Sequence, residues 1–248
     1  MTKLLENPNP ISEMSFIEHL KDLRKTVTRS CIGILLGTIF SLYWSSEIFA
    51  FITLPLKVAF EKFELIGTGP AEAFITKLEV SFISGVLLSS PFSFLQLWLF
   101  ISPALYAKEK KIAIPFVFIS SILFLSGIYF CYIMMFPYAF KYFYEEYQSI
   151  GITPNIKIDE YLGFVTRMVL VFGLVFELPV VCFFLSRLGI VSHTWLLKNF
   201  KYLIVGIFLI AGILTPPDII SQMLLAAPLT IIYLMCLIIA YVSYPKKQ

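Results

Sequence analysis

The stretch Phe172-Gly-Leu-Val-Phe-Glu-Leu-Pro-Val-Val181 places one carboxylate, that of Glu177, inside an apolar run. Between Glu160 and Arg187 the only other charged residue is Arg167. A run of this length and composition is typical of a membrane-spanning helix. An ionised carboxylate near the middle of a bilayer costs about 2.5–3.5 kcal/mol, so Glu177 needs a partner, water or a proton. Glu177 is therefore a functional candidate.

The rest of the chain has a similar composition. It is 58% hydrophobic and 14% charged, whereas soluble domains have about 25% charged residues. The apolar residues form six blocks, and most of them approach the ~20 residues that a spanning helix needs. These blocks cover residues 30–46, 80–102, 112–137, 161–186, 202–215 and 219–244. We predict an all-α polytopic membrane protein with six transmembrane helices. Residues 1–248 would form a single transmembrane domain, with an amphipathic cytoplasmic segment at 1–29, the six spans within 30–244 and a cytoplasmic tail at 245–248.

The fifth block is shorter than the others. Only 14 residues lie between Lys201 and Pro216, about 21 Å of helix against a ~30 Å hydrocarbon core. It forms either a re-entrant hairpin with the sixth block or a short span in a locally thinned bilayer. We favour the short span. Several prolines inside or at the ends of blocks predict kinked helices. They are Pro91, Pro115, Pro137, Pro179 and Pro228.

The distribution of Lys and Arg predicts the orientation. Thirteen lie in alternate segments, whereas the intervening loops hold far fewer, among them Lys57, Lys62, Lys141 and Lys157. The thirteen are Lys3, Lys21, Arg24, Lys25, Arg29, Lys108, Lys110, Lys111, Arg187, Lys198, Lys201, Lys246 and Lys247. Both termini are therefore predicted to be cytoplasmic. The formal charge of +3 gives no indication of nucleic-acid binding.

Motifs typical of enzymes are absent from the sequence. There is no glycine-rich phosphate loop, and the two histidines, His19 and His193, fall in segments predicted to be cytoplasmic. We predict no catalytic residues, no metal and no cofactor. A binding or transport role is left.

Two cytoplasmic segments carry acids that suit a cationic ligand. The first segment carries an apolar stripe formed by Phe16, Leu20, Leu23 and Val27, which we expect to lie against the bilayer or a neighbouring helix. This arrangement turns Asp22 toward the other side of the helix. Glu109 is the only acid in a loop with three lysines. Asp22 could instead pair with Lys25, and Glu109 could be an ordinary ion-paired surface carboxylate. Together the two acids would suit a guanidinium, which binds carboxylates bidentately and keeps its charge.

Two further expectations concern the opposite side of the membrane, here called the trans side. Arg167 and Glu177 are about 80° apart on a helix, so Arg167 is expected to extend to the trans interface rather than to pair with Glu177. The first trans-side loop, residues 47–73, is expected to contain an amphipathic helix. Its apolar residues at helical spacing are Phe49, Ile52, Leu56, Ala59, Phe60 and Phe63. This helix would either close one side of the molecule or serve as an interfacial anchor.

Four segments, in order, resemble the TatC family, the multispanning subunit of the twin-arginine (Sec-independent) protein translocase. They are Ser15-Phe-Ile-Glu-His-Leu-Lys-Asp-Leu-Arg-Lys25, Phe100-Ile-Ser-Pro-Ala-Leu-Tyr-Ala-Lys-Glu-Lys-Lys111, Phe172-Gly-Leu-Val-Phe-Glu-Leu-Pro179 and Ile213-Leu-Thr-Pro-Pro-Asp-Ile-Ile-Ser-Gln222. The resemblance implies a cupped scaffold in the cytoplasmic (inner) membrane that binds the twin-arginine signal peptides of folded cargo. It also implies recruitment of TatA/TatB-type single-span partners, homo-oligomers within a larger complex, and export driven by the proton gradient.

The resemblance also assigns roles to residues. The signal-peptide site would comprise Asp22, Arg24, Phe100, Leu105, Tyr106 and Glu109, although the family usually has Glu where this chain has Asp22. Glu177 and Gln222 would meet a partner helix, and Pro55 and Asp218 would be functional residues of the trans-side loops. The alternative from another class is a proton-coupled secondary transporter that uses Glu177. The single mid-span acid and the absence of an internal repeat argue against it.

Overall fold

The computed structural model describes residues 16–60, 63–101, 113–215 and 218–244. Within these ranges the chain is almost entirely helical, with one π-helical turn and two short strands. In chain order the elements are α1 Phe16–Leu42, α2 Ser45–Ile52, α3 Leu54–Ala59, β1 Glu64–Ile66, α4 Glu72–Ile101, α5 Ala113–Phe130, the π turn Cys131–Met135, α6 Phe136–Ser149, β2 Asn155–Lys157, α7 Ile158–Phe176, α8 Leu178–Arg187, α9 His193–Lys198, α10 Phe200–Leu214 and α11 Ile219–Ser243.

The described residues contain four helical segments long and apolar enough to cross a membrane: Glu72–Phe100, Pro115–Ser149, Ile158–Arg187 and Ile219–Ser243. The bent pair Leu20–Leu42 and Ser45–Ala59, which turns by 90°, makes a fifth if it is counted as one span. The predicted all-α polytopic fold is confirmed. The number of six spans stays a prediction.

The predicted short fifth helix is present as α10. It has 15 residues, which corresponds to about 22 Å along its axis. Thr215 ends it in an extended conformation, and α11 begins four residues later. Whether α10 crosses the whole bilayer stays a prediction.

Helix α1 joins the predicted amphipathic segment and the first predicted span in one continuous helix. Leu20, Leu23 and Val27 are exposed, so no helix of the described residues covers this part of the apolar stripe. The expected contact of the stripe with the bilayer or a neighbouring helix stays a prediction. Further along, α1 packs against α4.

Two glycines set the distance between α1 and α4. A Cβ added to Gly37 would lie 2.8 Å from the carbonyl oxygen of Gly85. A Cβ added to Gly85 would collide with the backbone nitrogen, Cα and Oγ1 of Thr38. Because backbone atoms cannot rotate away, only small residues permit this approach, as at many helix pairs in membranes.

Gly85→Val is therefore expected to lower the melting midpoint of the purified protein by several degrees. Overpacking of this kind costs about 1–3 kcal/mol. The matched control is Gly206→Val on α10, where an added Cβ meets nothing within 4 Å. The two substitutions change helix propensity alike, so equal midpoints would contradict the close α1–α4 contact.

Helix α7 lies at the centre of the main core. Met168 and Phe172 on α7 are fully buried, and they belong to one cluster with Phe136 on α6 and Leu225 on α11. The same helix contacts α4, α5, α10 and α11. Packing on several sides holds α7 in place, and α7 ends directly before Glu177.

The first trans-side loop forms two short helices instead of one. Helices α2 and α3 follow each other with Thr53 between them, and Leu56 and Phe60 are buried in the main core. The predicted apolar stripe therefore packs against the protein and does not serve only as an interfacial anchor. Strand β1 then pairs in parallel with β2, with Leu65 opposite Ile156. No pattern in the sequence had indicated this pairing.

Candidate functional site

Glu177 lies at the junction of two helices. It is the last capping residue of α7 and the first of α8, with helical backbone angles of φ −78° and ψ −17°. Pro179 follows, and because it has no N–H it cannot continue the α-helical hydrogen bonding. The backbone N–H groups of Val180 and Val181 instead both donate to the Glu177 carbonyl, at 3.0 Å each. The carboxylate thus projects from a break within the span Ile158–Arg187.

The Glu177 side chain is buried against α5. It is 8% exposed, and its carboxylate contacts the Ser120 side chain and the backbone at Phe124. Its Oε1 atom has no hydrogen-bond partner among the described residues. A buried polar atom without a partner carries a penalty of about 1–3 kcal/mol. Such an atom is suited to a donor that arrives from another molecule.

Gln222 lies on the first turns of α11, and its contact is with α10. Its Nε2 donates to the carbonyl oxygen of Phe208 at 2.9 Å, and the side chain is partly buried. No hydrogen bond in the described part of the chain joins Gln222 to Glu177. The structure thus places the two predicted partner-helix residues in separate polar contacts.

Asp22 lies on the exposed part of α1 and forms an ion pair with Lys25 at 3.3 Å. Both side chains are accessible, at 40% for Asp22 and 66% for Lys25. The pairing with Lys25 that the spacing allowed is therefore present, and exposed pairs of this kind contribute only about 0–1 kcal/mol. Arg24 is exposed beside it. With Lys21, Lys25 and Arg29, Arg24 forms a basic face, which adjoins Asp22 through Lys25.

The other predicted signal-peptide residues are only partly covered by the structure. Phe100 is the next-to-last residue of α4 and is partly buried. Leu105, Tyr106 and Glu109 lie outside the described residues. The structure therefore does not test the predicted proximity of Asp22 and Glu109.

Pro55 and Asp218 have clear local roles. Pro55 is buried in the first turn of α3, where a missing N–H is tolerated. Asp218 is the N-cap of α11, and its Oδ1 accepts a hydrogen bond from the backbone N–H of Ser221 at 2.7 Å. Leu56, next to Pro55, borders the same cavity as Asp218. The two predicted trans-side residues thus belong to one end of the molecule.

Comparisons with known proteins agree with this arrangement. A family model described as Sec-independent protein translocase protein (TatC) matches residues 18–228. This chain belongs to the TatC family. The TatC protein of Desulforapulum autotrophicum is 42% identical over 235 residues, which cover 94% of this chain and 86% of the relative. That of Helicobacter pylori strain J99 is 38% identical over 230 residues, which cover 93% of this chain and 90% of the relative.

The same family is found among solved structures. A crystal structure of the twin arginine translocase receptor TatC matches with a TM-score of 0.83 at 32% identity, over 91% of this chain and 99% of the other. This TatC-family chain is therefore a multi-pass membrane protein and a component of the Sec-independent protein translocase, with a role in transport rather than in catalysis. The family assignment favours a translocase over the alternative of a secondary transporter.

One polar residue of this TatC-family chain was missed by the sequence analysis. Glu79 is partly buried on α4, and its Oε1 accepts a hydrogen bond from the Thr166 hydroxyl of α7 at 3.4 Å. The predicted second span began at residue 80, so Glu79 fell one residue outside it. The signal was present in the sequence, because Glu79 is preceded by the apolar residues Phe74, Ile75 and Leu78.

Proposed function

We propose that this chain is the receptor and scaffold subunit of a twin-arginine translocase. In this proposal it spans the cytoplasmic (inner) membrane six times as a single cupped domain, with both termini in the cytoplasm. The likeness to the crystal structure of a twin arginine translocase receptor over 91% of the chain carries the proposal. The apolar spans and the excess of Lys and Arg in alternate segments support it.

The signal-peptide site in this proposal is cytoplasmic and comprises Asp22, Arg24, Phe100, Leu105, Tyr106 and Glu109. The exposed Asp22–Lys25 pair supports it, because a weak pair in water is readily exchanged. An arginine of the signal peptide would replace the single Lys25 contact with a bidentate one. Asp22 adjoins a basic face with four cations, however, so a second carboxylate is needed to hold a ligand with two positive charges. Glu109 supplies it.

The partner-helix site in this proposal lies at Glu177 and Gln222. TatA/TatB-type single-span proteins would dock there, within an oligomeric complex that uses the proton gradient to move folded cargo. The unpartnered Oε1 of Glu177 supports this role, because a polar side chain on an incoming helix would satisfy it. Pro55 and Asp218 would act at the trans side.

The test compares two signal peptides that differ only in their paired residues. The purified protein is expected to bind an Arg-Arg peptide about tenfold or more tightly than its Lys-Lys counterpart, because lysine cannot form the bidentate contact. Fluorescence anisotropy with labelled peptides would measure the two affinities. Equal affinities would overturn the proposed receptor function.

A further inference from the structure

A large cavity opens at the end of the molecule that carries the two strands. It has a volume of about 750 Å³, within the ~300–1,000 Å³ range of small-molecule sites. It is bordered by α3, α6, β2, α7, the end of α10 and the start of α11. Its walls are largely aromatic, with contributions from Phe60, Phe140, Phe143, Tyr161 and Phe164. An apolar chain fits such walls.

Arg167 reaches this cavity from within the α7 span. It is the tenth residue of α7, about 14 Å along the axis from the start of the helix. Its Nε donates to the Gly163 carbonyl at 2.8 Å, so the side chain extends toward the helix start, as the sequence predicted. Among the described residues no carboxylate lies within ion-pair distance of it. A guanidinium at this depth is costly unless it faces water or an anion.

Three carboxylates line the outer part of the same cavity, those of Glu146, Glu160 and Asp218. Each lies near a helix end, whereas Arg167 lies further into the span. Glu160 is paired with Lys157 at 3.1 Å. Glu146 has no ion pair in the described part of the chain, and its charge and that of Asp218 both act on the Tyr142 hydroxyl. The mouth of the cavity is therefore negative and its deeper part carries one positive charge.

This order of groups matches one class of lipid. In a zwitterionic phospholipid the ammonium lies outside the phosphate, and in the cavity the carboxylates lie outside the guanidinium, while the aromatic walls beside them suit the start of an acyl chain. We propose that the cavity binds a phospholipid with a phosphoethanolamine headgroup. Its phosphate contacts Arg167, its ammonium contacts Glu146 and Asp218, and an acyl chain lies along the aromatic wall. A purely anionic headgroup is disfavoured by the carboxylates at the mouth.

The test uses native mass spectrometry of the full chain, released from detergent and titrated with phosphatidylethanolamine or phosphatidylglycerol. Wild type is expected to bind the ethanolamine lipid more tightly. Arg167→Gln is expected to lose about tenfold in that affinity, the size of one charge-assisted hydrogen bond. Glu146→Gln is expected to remove the preference for ethanolamine over glycerol. The matched control is Glu145→Gln, because Glu145 pairs with Lys141 and does not line the cavity.

Three outcomes would overturn the proposal. The first is equal binding of the two lipids by wild type. The second is unchanged affinity in a well-folded Arg167→Gln variant, which would indicate annular lipid only. The third is a preference for the ethanolamine lipid over the glycerol lipid that survives in Glu146→Gln. Because Glu146 is exposed, this variant still tests the proposal if Arg167→Gln does not fold. All three are independent of signal-peptide binding, so they leave the proposed receptor function untouched.

Discussion

Asp22→Ala or Glu109→Ala is expected to abolish crosslinking of a twin-arginine signal peptide to the protein, while the variant still inserts normally into the membrane. A hydrogen bond to a charged group contributes about 1.5–3 kcal/mol, and each 1.4 kcal/mol is about tenfold in affinity. Loss of either acid would therefore weaken binding about 10–100-fold. Asp22 is 40% exposed and on the surface of α1, so its removal leaves the core intact. Site-specific photocrosslinking to a labelled peptide measures the effect.

Lys25→Ala separates the ligand role of Asp22 from a local structural one. Removing Lys25 breaks the 3.3 Å ion pair and takes one cation from the basic face. If Asp22 binds the peptide, the freed carboxylate is expected to bind it at least as tightly as before. If Asp22 only stabilises α1 through this pair, Lys25→Ala would lower crosslinking as Asp22→Ala does, and the assignment would be wrong.

The sequence was sufficient for most of the helical architecture, because length and apolar composition directly report what a bilayer requires. The predicted fourth block, residues 161–186, lies within the observed span Ile158–Arg187. The predicted sixth block, 219–244, ends one residue after α11. Pro179 correctly indicated a break, and the structure shows that the break coincides with Glu177.

Features that depend on contacts between distant parts of the chain could not be predicted from length and apolar composition. Strands β1 and β2 are about ninety residues apart in sequence, and neither has a pattern of its own in three residues. The resemblance to the TatC family assigned Gln222 and Glu177 together to contact with a partner helix. Their contacts depend instead on which helix packs beside each one, with α10 beside Gln222 and α5 beside Glu177.

The site residues divide into those that their own chemistry selected and those that only the family resemblance selected. Composition and spacing alone selected Asp22, Glu109 and Glu177 as acids that need a partner. The roles of Phe100, Pro55 and Gln222 came only from the resemblance to the TatC family, because apolar or neutral residues in apolar surroundings give no chemical signal. The cavity near Arg167 was not predicted at all, since six separate elements form its walls.

Glu177→Ala is expected to spare signal-peptide binding and to weaken association with TatA/TatB-type partners severely. The side chain is 8% exposed, and its Oε1 has no hydrogen-bond partner among the described residues. If a partner helix supplies the missing donor, its affinity depends on this atom. Replacing an unsatisfied buried acid with an apolar residue is close to neutral for stability, because a desolvation penalty is removed along with the contacts. Co-purification with tagged partners, alongside a melting curve, measures both effects.

Two further variants serve as comparisons for Glu177→Ala. Glu177→Gln keeps an acceptor oxygen in the same place, so it is expected to retain part of the partner association that Glu177→Ala loses. Glu79→Gln changes an intramembrane acid that already accepts a hydrogen bond from Thr166, so association is expected to stay unchanged. If the substitutions at Glu177 and Glu79 reduced partner association equally, a general effect of charge in the span would explain the result. A specific role of Glu177 requires that the two differ, because the Glu177 carboxylate has a buried oxygen without a hydrogen-bond partner among the described residues.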